Sequence, residues 1–456
     1  MPVDKSVFRA YDVRGIVDHS LDEALVYDIG RAIATRYPEA QSFVVGRDGR
    51  LSSPRFAEAL AGGLRSAGVQ VVDLGAVPTP VLYFAAHEYS EGCGLMVTGS
   101  HNPPNYNGVK MMVGKHTLAG DEIQALYQDI VKGHFNKRHG SYRSLNVMDA
   151  YIDKIAEDIV LPYPYKLVAD CGNGVAGPYV VALFDALGCE LQCLYCDIDG
   201  NFPNHHANPS EEKNLVDLIA TVKESNAELG IAFDGDGDRL GVVDELGNII
   251  WPDRQMMVYA KKILEQEPGA CIVYDVKCSN HLRKIIEKNG GHAQMCRTGH
   301  SYVKSMLKKT AALLAGEMSG HIFFNDRWYG FDDALYTAAR LVEICADNTD
   351  SSSQIFAKLP HSISTPELNV HLENEGDQHI FMEHFLAKAR FNDGELDYTD
   401  GLRVDFNDGW GLVRASNTTP CLVLRFEADN AERLDEVKDI FRKQLLLVER
   451  DLEITF

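Results

Sequence analysis

Three segments of the 456-residue chain follow one local plan: a short apolar strand ending in aspartate, a loop of glycine or asparagine, an amphipathic helix ending in glycine, then a second strand. They run from SFVVGRDGR to LRSAGVQVVDLG, from YKLVADCGNG to LFDALGCELQCLYC, and from ACIVYDVKCSN to IIEKNGGHAQMCRTGH. The spacings from Asp48 to Gly68, Asp170 to Gly188 and Asp275 to Gly291 are 20, 18 and 16 positions. A β-α-β unit returning at intervals of over 100 residues predicts three domains of related mixed α/β topology. Other helices read clearly, such as Leu21 to Tyr37 with Leu25, Ile29 and Ile33 at spacing four. The polar FNKRHGSYR, the turn IIWPDR and the two-proline KLPHSISTPE divide the chain into 1–146, 147–252, 253–362 and 363–456. The last stretch reads as a smaller, strand-rich α+β domain.

A formal charge of −22 argues against nucleic acid or an anionic membrane as partner, because both reward clustered lysine and arginine. An anionic substrate would therefore require basic residues concentrated locally. No stretch offers the 18 or more apolar residues of a membrane span, and MPVDKSVFRAYDVRG has no apolar h-region, so a soluble cytoplasmic protein is expected. Ten cysteines in such a chain read as reduced thiols. Cys193 and Cys196 form the only C-x-x-C, and without a second pair at zinc-finger spacing they read as structural.

The run IAFDGDGDRLGVVDE sets Asp234, Asp236 and Asp238 at alternate positions between strand-like runs. Carboxylates so close repel unless a cation joins them, and glycine spacers let all three turn to one point, which predicts a divalent, oxygen-liganded metal. An EF-hand matches at Asp234, Asp236, Asp238 and Glu245, but its turn glycine is here Arg239 and strands replace the flanking helices. Gly172, Gly174 and Gly177 spell G-x-G-x-x-G, with Asp197 where a ribose-binding acid would stand, yet a β-α turn in any doubly wound domain uses glycine for close packing. That second reading is preferred. LLAGEMSGHIFF sets Glu317, Ser319 and His321 on a glycine-flanked turn suited to sugar hydroxyls, and GLVRASNTTPCLVLRFE offers Arg414, Ser416, Asn417, Thr418 and Thr419 at a density that suits a phosphate dianion. His300, Lys277, Tyr11 and Arg14 are individually weak signals.

LMVTGSHNPPNYNGVK ends an apolar strand in a loop of one serine, one histidine, three asparagines and two adjacent prolines. With this loop, four segments, Thr98 to Lys110, Asp234 to Arg239, Gly316 to His321 and Arg414 to Pro420, resemble in order and spacing the signature loops of the α-D-phosphohexomutases. GEMSGH and RASNTTP are most similar to the bacterial phosphomannomutase/phosphoglucomutase branch. The resemblance covers essentially the whole chain and implies four domains around a central cleft, with the last domain hinging over it.

It further implies a reaction. Ser100 would be a phosphoserine that gives its phosphoryl group to a hexose monophosphate and recovers the other phosphate after the bound hexose 1,6-bisphosphate reorients. One Mg²⁺ per chain would sit on Asp234, Asp236, Asp238 and Ser100, since phosphoserine adds nearly two negative charges beside three acids. Arg239 would neutralise transferring oxygens. Lys110 and His300 would move the substrate proton, with the Lys110 pKa depressed by nearby cations. Tyr11, Arg14, His101 and Lys277 would contact substrate, Glu317, Ser319 and His321 would grip sugar hydroxyls, and Arg414, Ser416, Asn417 and Thr418 would clasp the phosphate not being transferred. Glucose 1,6-bisphosphate would act as activator and the enzyme would be a monomer. Phosphoglucosamine mutase and a metal-dependent sugar-phosphate phosphatase are the alternatives.

Overall fold

The computed structural model describes residues 3–374, 376–416, 419–454 and 456, which form four sheets. In the first, strands Ser42–Arg47, Gln70–Ala76 and Gly94–Val97 run parallel, and Tyr106–Val113 returns antiparallel to Gly94–Val97. Val13–Ile16 and Tyr142–Ser144 close the two edges. The second sheet joins Glu190–Leu194, Lys166–Asp170 and Leu229–Phe233 in parallel, then adds Leu240–Asp244 antiparallel. The third repeats this with His292–Cys296, Cys271–Asp275, Leu314–Gly316 and the antiparallel Ile322–Phe324. The fourth is wholly antiparallel, built around Leu402–Phe406, Gly409–Ala415 and Cys421–Ala428.

Strands covered on both faces have no reason to alternate, and Leu95, Met96 and Val97 are each fully buried as their continuous apolar run requires. Helix Glu23–Arg36 starts where the Asp22 carboxylate accepts the Leu25 amide at 2.9 Å, and it buries Val26, Ile29 and Ile33 on one face. A single apolar core crosses the first three sheets, joining Leu82 and Phe84 to Tyr151, Trp328 and Tyr336. At this junction Trp328 stacks on Tyr336 with ring centroids 4.4 Å apart, and the Tyr151 hydroxyl donates to Asp333 at 2.8 Å. The fourth sheet has its own core and docks through Trp410 and Leu412 against Val276. Arg403 lies 3.9 Å over the Trp410 ring and donates to the Val276 and Cys278 carbonyls, each at 2.7 Å.

This topology repeats one feature four times. Residues 98–105, 234–239 and 317–321 are each the turn of an antiparallel hairpin that joins the last parallel strand to its antiparallel neighbour, and in the fourth hairpin Gly409–Ala415 pairs antiparallel with Cys421–Ala428. Among the described residues no helix is long and apolar enough to cross a membrane.

The expectation of ten reduced thiols is corrected. Cys193 and Cys196 are joined in a disulfide with their Cα atoms 6.1 Å apart, within the span such a bond bridges, and the other eight cysteines are free. In an extended strand, residues three apart point to opposite faces. Here Tyr195 takes a left-handed φ of 52°, which turns the chain and brings both sulfurs to one side.

Candidate active site

Ser100 sits in the first hairpin turn, 2% exposed, with a left-handed φ of 49°. That conformation costs a non-glycine residue about 1–2 kcal/mol, so the surroundings must impose it. The Thr98 hydroxyl accepts the Ser100 amide at 2.8 Å. The larger constraint is Arg50, whose buried guanidinium donates to the carbonyls of Ser100, Asn102, Pro103 and Tyr106 at 2.5 to 3.1 Å. Asp48 holds Arg50 at 3.1 Å and accepts the Gly99 amide at 2.9 Å. A Cβ on Gly99 would meet the Arg50 Nε at 2.3 Å, so the clamp requires glycine there. The rigidity of this loop is therefore supplied largely by Asp48 and Arg50. Their only signal in the sequence is the charged end of GRDGR.

Asp234, Asp236 and Asp238 are fully buried, and each offers a carboxylate oxygen within 4.8 Å of the others. Gly235 permits this closeness, because a Cβ there would stand 2.5 Å from the Ser100 carbonyl, and Gly237 takes a φ of +73°. The Ser100 hydroxyl donates to Asp234 at 3.1 Å and lies 3.1 Å from the His101 Nδ1. Asp236 accepts from Thr79 at 2.7 Å, Thr98 at 3.0 Å and Lys110 at 2.8 Å. One buried oxygen each of Asp236 and Asp238 makes no hydrogen bond, the Asp238 oxygen lying 3.6 Å from the His321 Nδ1. Burial and the two neighbouring carboxylates push the Asp234 pKa well up, whereas Lys110 and the threonine hydroxyls outweigh burial at Asp236 and lower it. Three acids, oxygens without a hydrogen bond and converging geometry fit a hard divalent cation.

Lys110 departs from expectation. Burial works against its charge, but its ammonium bonds both Asp236 and Asp238, and their attraction raises its pKa well above the ordinary lysine value. The depressed pKa expected from neighbouring cations is overturned because the closest charges are anions.

From the third hairpin, the His321 Nε2 accepts from the Arg239 Nε at 3.1 Å, which assigns the ring proton to Nδ1, 3.1 Å from Asp332. His300 lies 5.6 Å from His321 and 5.4 Å from Tyr11 between ring centroids. Burial and the nearby Lys304 charge hold His300 well below the usual histidine pKa, so the ring is neutral. Asp332, which the sequence reading missed, faces both histidines and bonds Lys304 at 3.0 Å. Its neighbour Asp333 caps the helix Ala334–Ala346, so the DD pair in GFDDALY was the available sign. Glu317 accepts the Gly299 amide at 2.5 Å and burial raises its pKa; Ser319 lies half-buried in the same turn.

Arg14 donates to Asn102 at 2.6 Å, joining the first strand to the serine loop. Across the cleft Lys277 pairs with Glu367 at 2.9 Å, and Arg414 with Asp400 at 2.8 Å. Ser416 and Thr419 bond each other through their hydroxyls at 2.9 Å, while Asn417 and Thr418 lie outside the described residues. The Gly172 to Gly177 turn contacts the acid loop directly. A Cβ at Gly174 would stand 3.0 Å from the Gly235 carbonyl and one at Gly177 1.9 Å from the Cys196 carbonyl, so close packing accounts for these glycines.

Family models for the three phosphoglucomutase/phosphomannomutase alpha/beta/alpha domains match residues 5–137, 149–247 and 251–363, and the model of the C-terminal domain matches 367–444. A phosphomannomutase/phosphoglucomutase from Pseudomonas aeruginosa is 50% identical over 453 residues, covering 99% of this chain and 98% of its own. A phosphoglucomutase from Neisseria gonorrhoeae is 49% identical over 96% of both. The crystal structure of a phosphoglucomutase/phosphomannomutase family protein from Burkholderia thailandensis superposes with a TM-score of 0.94 at 49% identity, covering 100% of each chain.

Proposed function

The chain belongs to the phosphoglucomutase/phosphomannomutase family of isomerases, and from that premise we propose that Ser100 carries a phosphoryl group between the 1- and 6-positions of glucose and mannose phosphates. The observation that supports this reading best is Ser100 itself, a strained, clamped hydroxyl 3.1 Å from Asp234 beside carboxylate oxygens that make no hydrogen bond. Asp234, Asp236 and Asp238, with an oxygen on Ser100, would hold one Mg²⁺, whose charge offsets that of the phosphoryl group when bound.

The remaining work falls to the protein's own residues. A sugar hydroxyl attacks the phosphorus, the bond to the Ser100 oxygen breaks, and that oxygen keeps the electron pair. Neutral His300 accepts the hydroxyl proton, while Arg239 and protonated Lys110 neutralise the oxygens in flight. The hexose bisphosphate turns about, and the steps run in reverse from the other end. Glu317, Ser319 and His321 take the sugar hydroxyls. Arg414, Ser416, Asn417 and Thr418 clasp the distal phosphate, and Lys277, Tyr11, Arg14 and His101 contact the substrate. This arrangement supplies the local positive charge that a chain of −22 needs for an anionic substrate. The four domains divide at 1–146, 147–252, 253–362 and 363–456, each carrying one loop, and the enzyme works as a cytoplasmic monomer with glucose 1,6-bisphosphate as activator.

A coupled assay with glucose 1-phosphate and mannose 1-phosphate tests this. The expected result is formation of both 6-phosphates, abolished by chelation and by Ser100→Ala in a folded protein, with very little free phosphate. Stoichiometric release of inorganic phosphate instead would assign the serine to a phosphatase.

A further inference from the structure

Outside the catalytic cleft, three sulfurs meet at one end of the second sheet. Cys171 directly follows strand Lys166–Asp170, and Cys193 and Cys196 lie at the end of the adjacent parallel strand Glu190–Leu194. All three sulfurs fall within 4.8 Å of one another, and the Cys171 and Cys196 sulfurs are 3.5 Å apart. Two thiolates on one tetrahedral ion at about 2.3 Å would be separated by about 3.8 Å. The observed pair is thus already near ligand spacing. The third sulfur comes from a C-x-x-C, the commonest short spacing of paired thiolate ligands. Cys171 is fully buried, while Cys193 and Cys196 are half-buried, so a small ion can reach the cluster from the outer side. The backbone is fixed around it: the Cys171 amide donates to the Leu194 carbonyl at 3.1 Å, and Gly177 packs on the Cys196 carbonyl.

We propose that, once the Cys193–Cys196 bond is reduced, Cys171, Cys193 and Cys196 form a three-thiolate site for a soft cation such as Zn²⁺ or Cd²⁺, separate from the aspartate site. Thiolates select soft ions and the carboxylates select hard ones, so the two sites do not compete for the same metal. Reduction by a phosphine yields two thiols, the phosphine taking oxygen from water to become its oxide. A divalent ion then binds three sulfurs and displaces three thiol protons.

The test titrates Cd²⁺ into the phosphine-reduced full chain with excess Mg²⁺, reading the ultraviolet thiolate-to-cadmium absorption and the cadmium retained after gel filtration. The expected result is saturation at one ion per chain in the reduced protein, no such absorption in the oxidised protein, and at least tenfold weaker binding in Cys193→Ser and Cys171→Ser. Should Cys171→Ser, which alters a buried position, fail to fold, Cys193→Ser decides. Absence of the absorption in the reduced chain, or its persistence unchanged in Cys193→Ser, overturns the proposal.

Discussion

Arg50 shows how one side chain sets the state of another. It organises four carbonyls of the serine loop from a fully buried position, so Arg50→Ala leaves those oxygens and Asp48 without their partner. The expected cost is about 3–5 kcal/mol, read from urea unfolding. Arg50→Lys retains charge but not the planar fork, and should lower kcat at least tenfold with a smaller change in KM, because Ser100 loses its orientation while the distal phosphate contacts stay. At Gly235 the obstacle is steric. Gly235→Ala places a methyl 2.5 Å from the Ser100 carbonyl, and should separate serine from aspartates enough to cut activity at least tenfold, with weakened metal binding by calorimetry.

At the scale of elements, the helix Thr79–Tyr89 links the first sheet to the third domain. His87 on this helix packs against the Tyr329 and Phe331 rings at 5.2 and 5.7 Å between centroids. Burial, helped by the Lys115 charge, lowers its pKa from 6.5 to about 4. The folded protein therefore refuses a proton that the unfolded chain accepts. Its contribution is whole above pH 6.5 and is lost as pH falls from 6.5 towards 4. After discounting for its partial exposure, about 1–2 kcal/mol of stability should disappear between pH 7 and pH 5. Denaturant midpoints across that window check this, and His87→Asn should flatten the dependence. The β-α-β units themselves were legible because glycines, aspartates and apolar runs report on neighbours close in sequence. The Cys193–Cys196 bond was not, because it depends on the left-handed turn at Tyr195.

For the whole molecule, the fourth domain is the separable part, having its own core and a small apolar seam around Trp410. Arg403→Ala removes the guanidinium that stacks on Trp410 and bonds two carbonyls of the third domain. It should split calorimetric unfolding into two transitions, the fourth domain first, and raise KM for the sugar phosphate, because Arg414 and Ser416 would no longer be held over the cleft. The sequence by itself determined the repeated β-α-β units and the clustering of the three aspartates, since strand, turn and spacing are local properties. Only the tertiary structure decided that Arg50 clamps the serine, that Asp332 faces two histidines, and that Lys110 meets acids instead of cations. Each of these rests on contacts between segments far apart along the chain, and the charge a buried group carries is set by what packs against it, which no local pattern records.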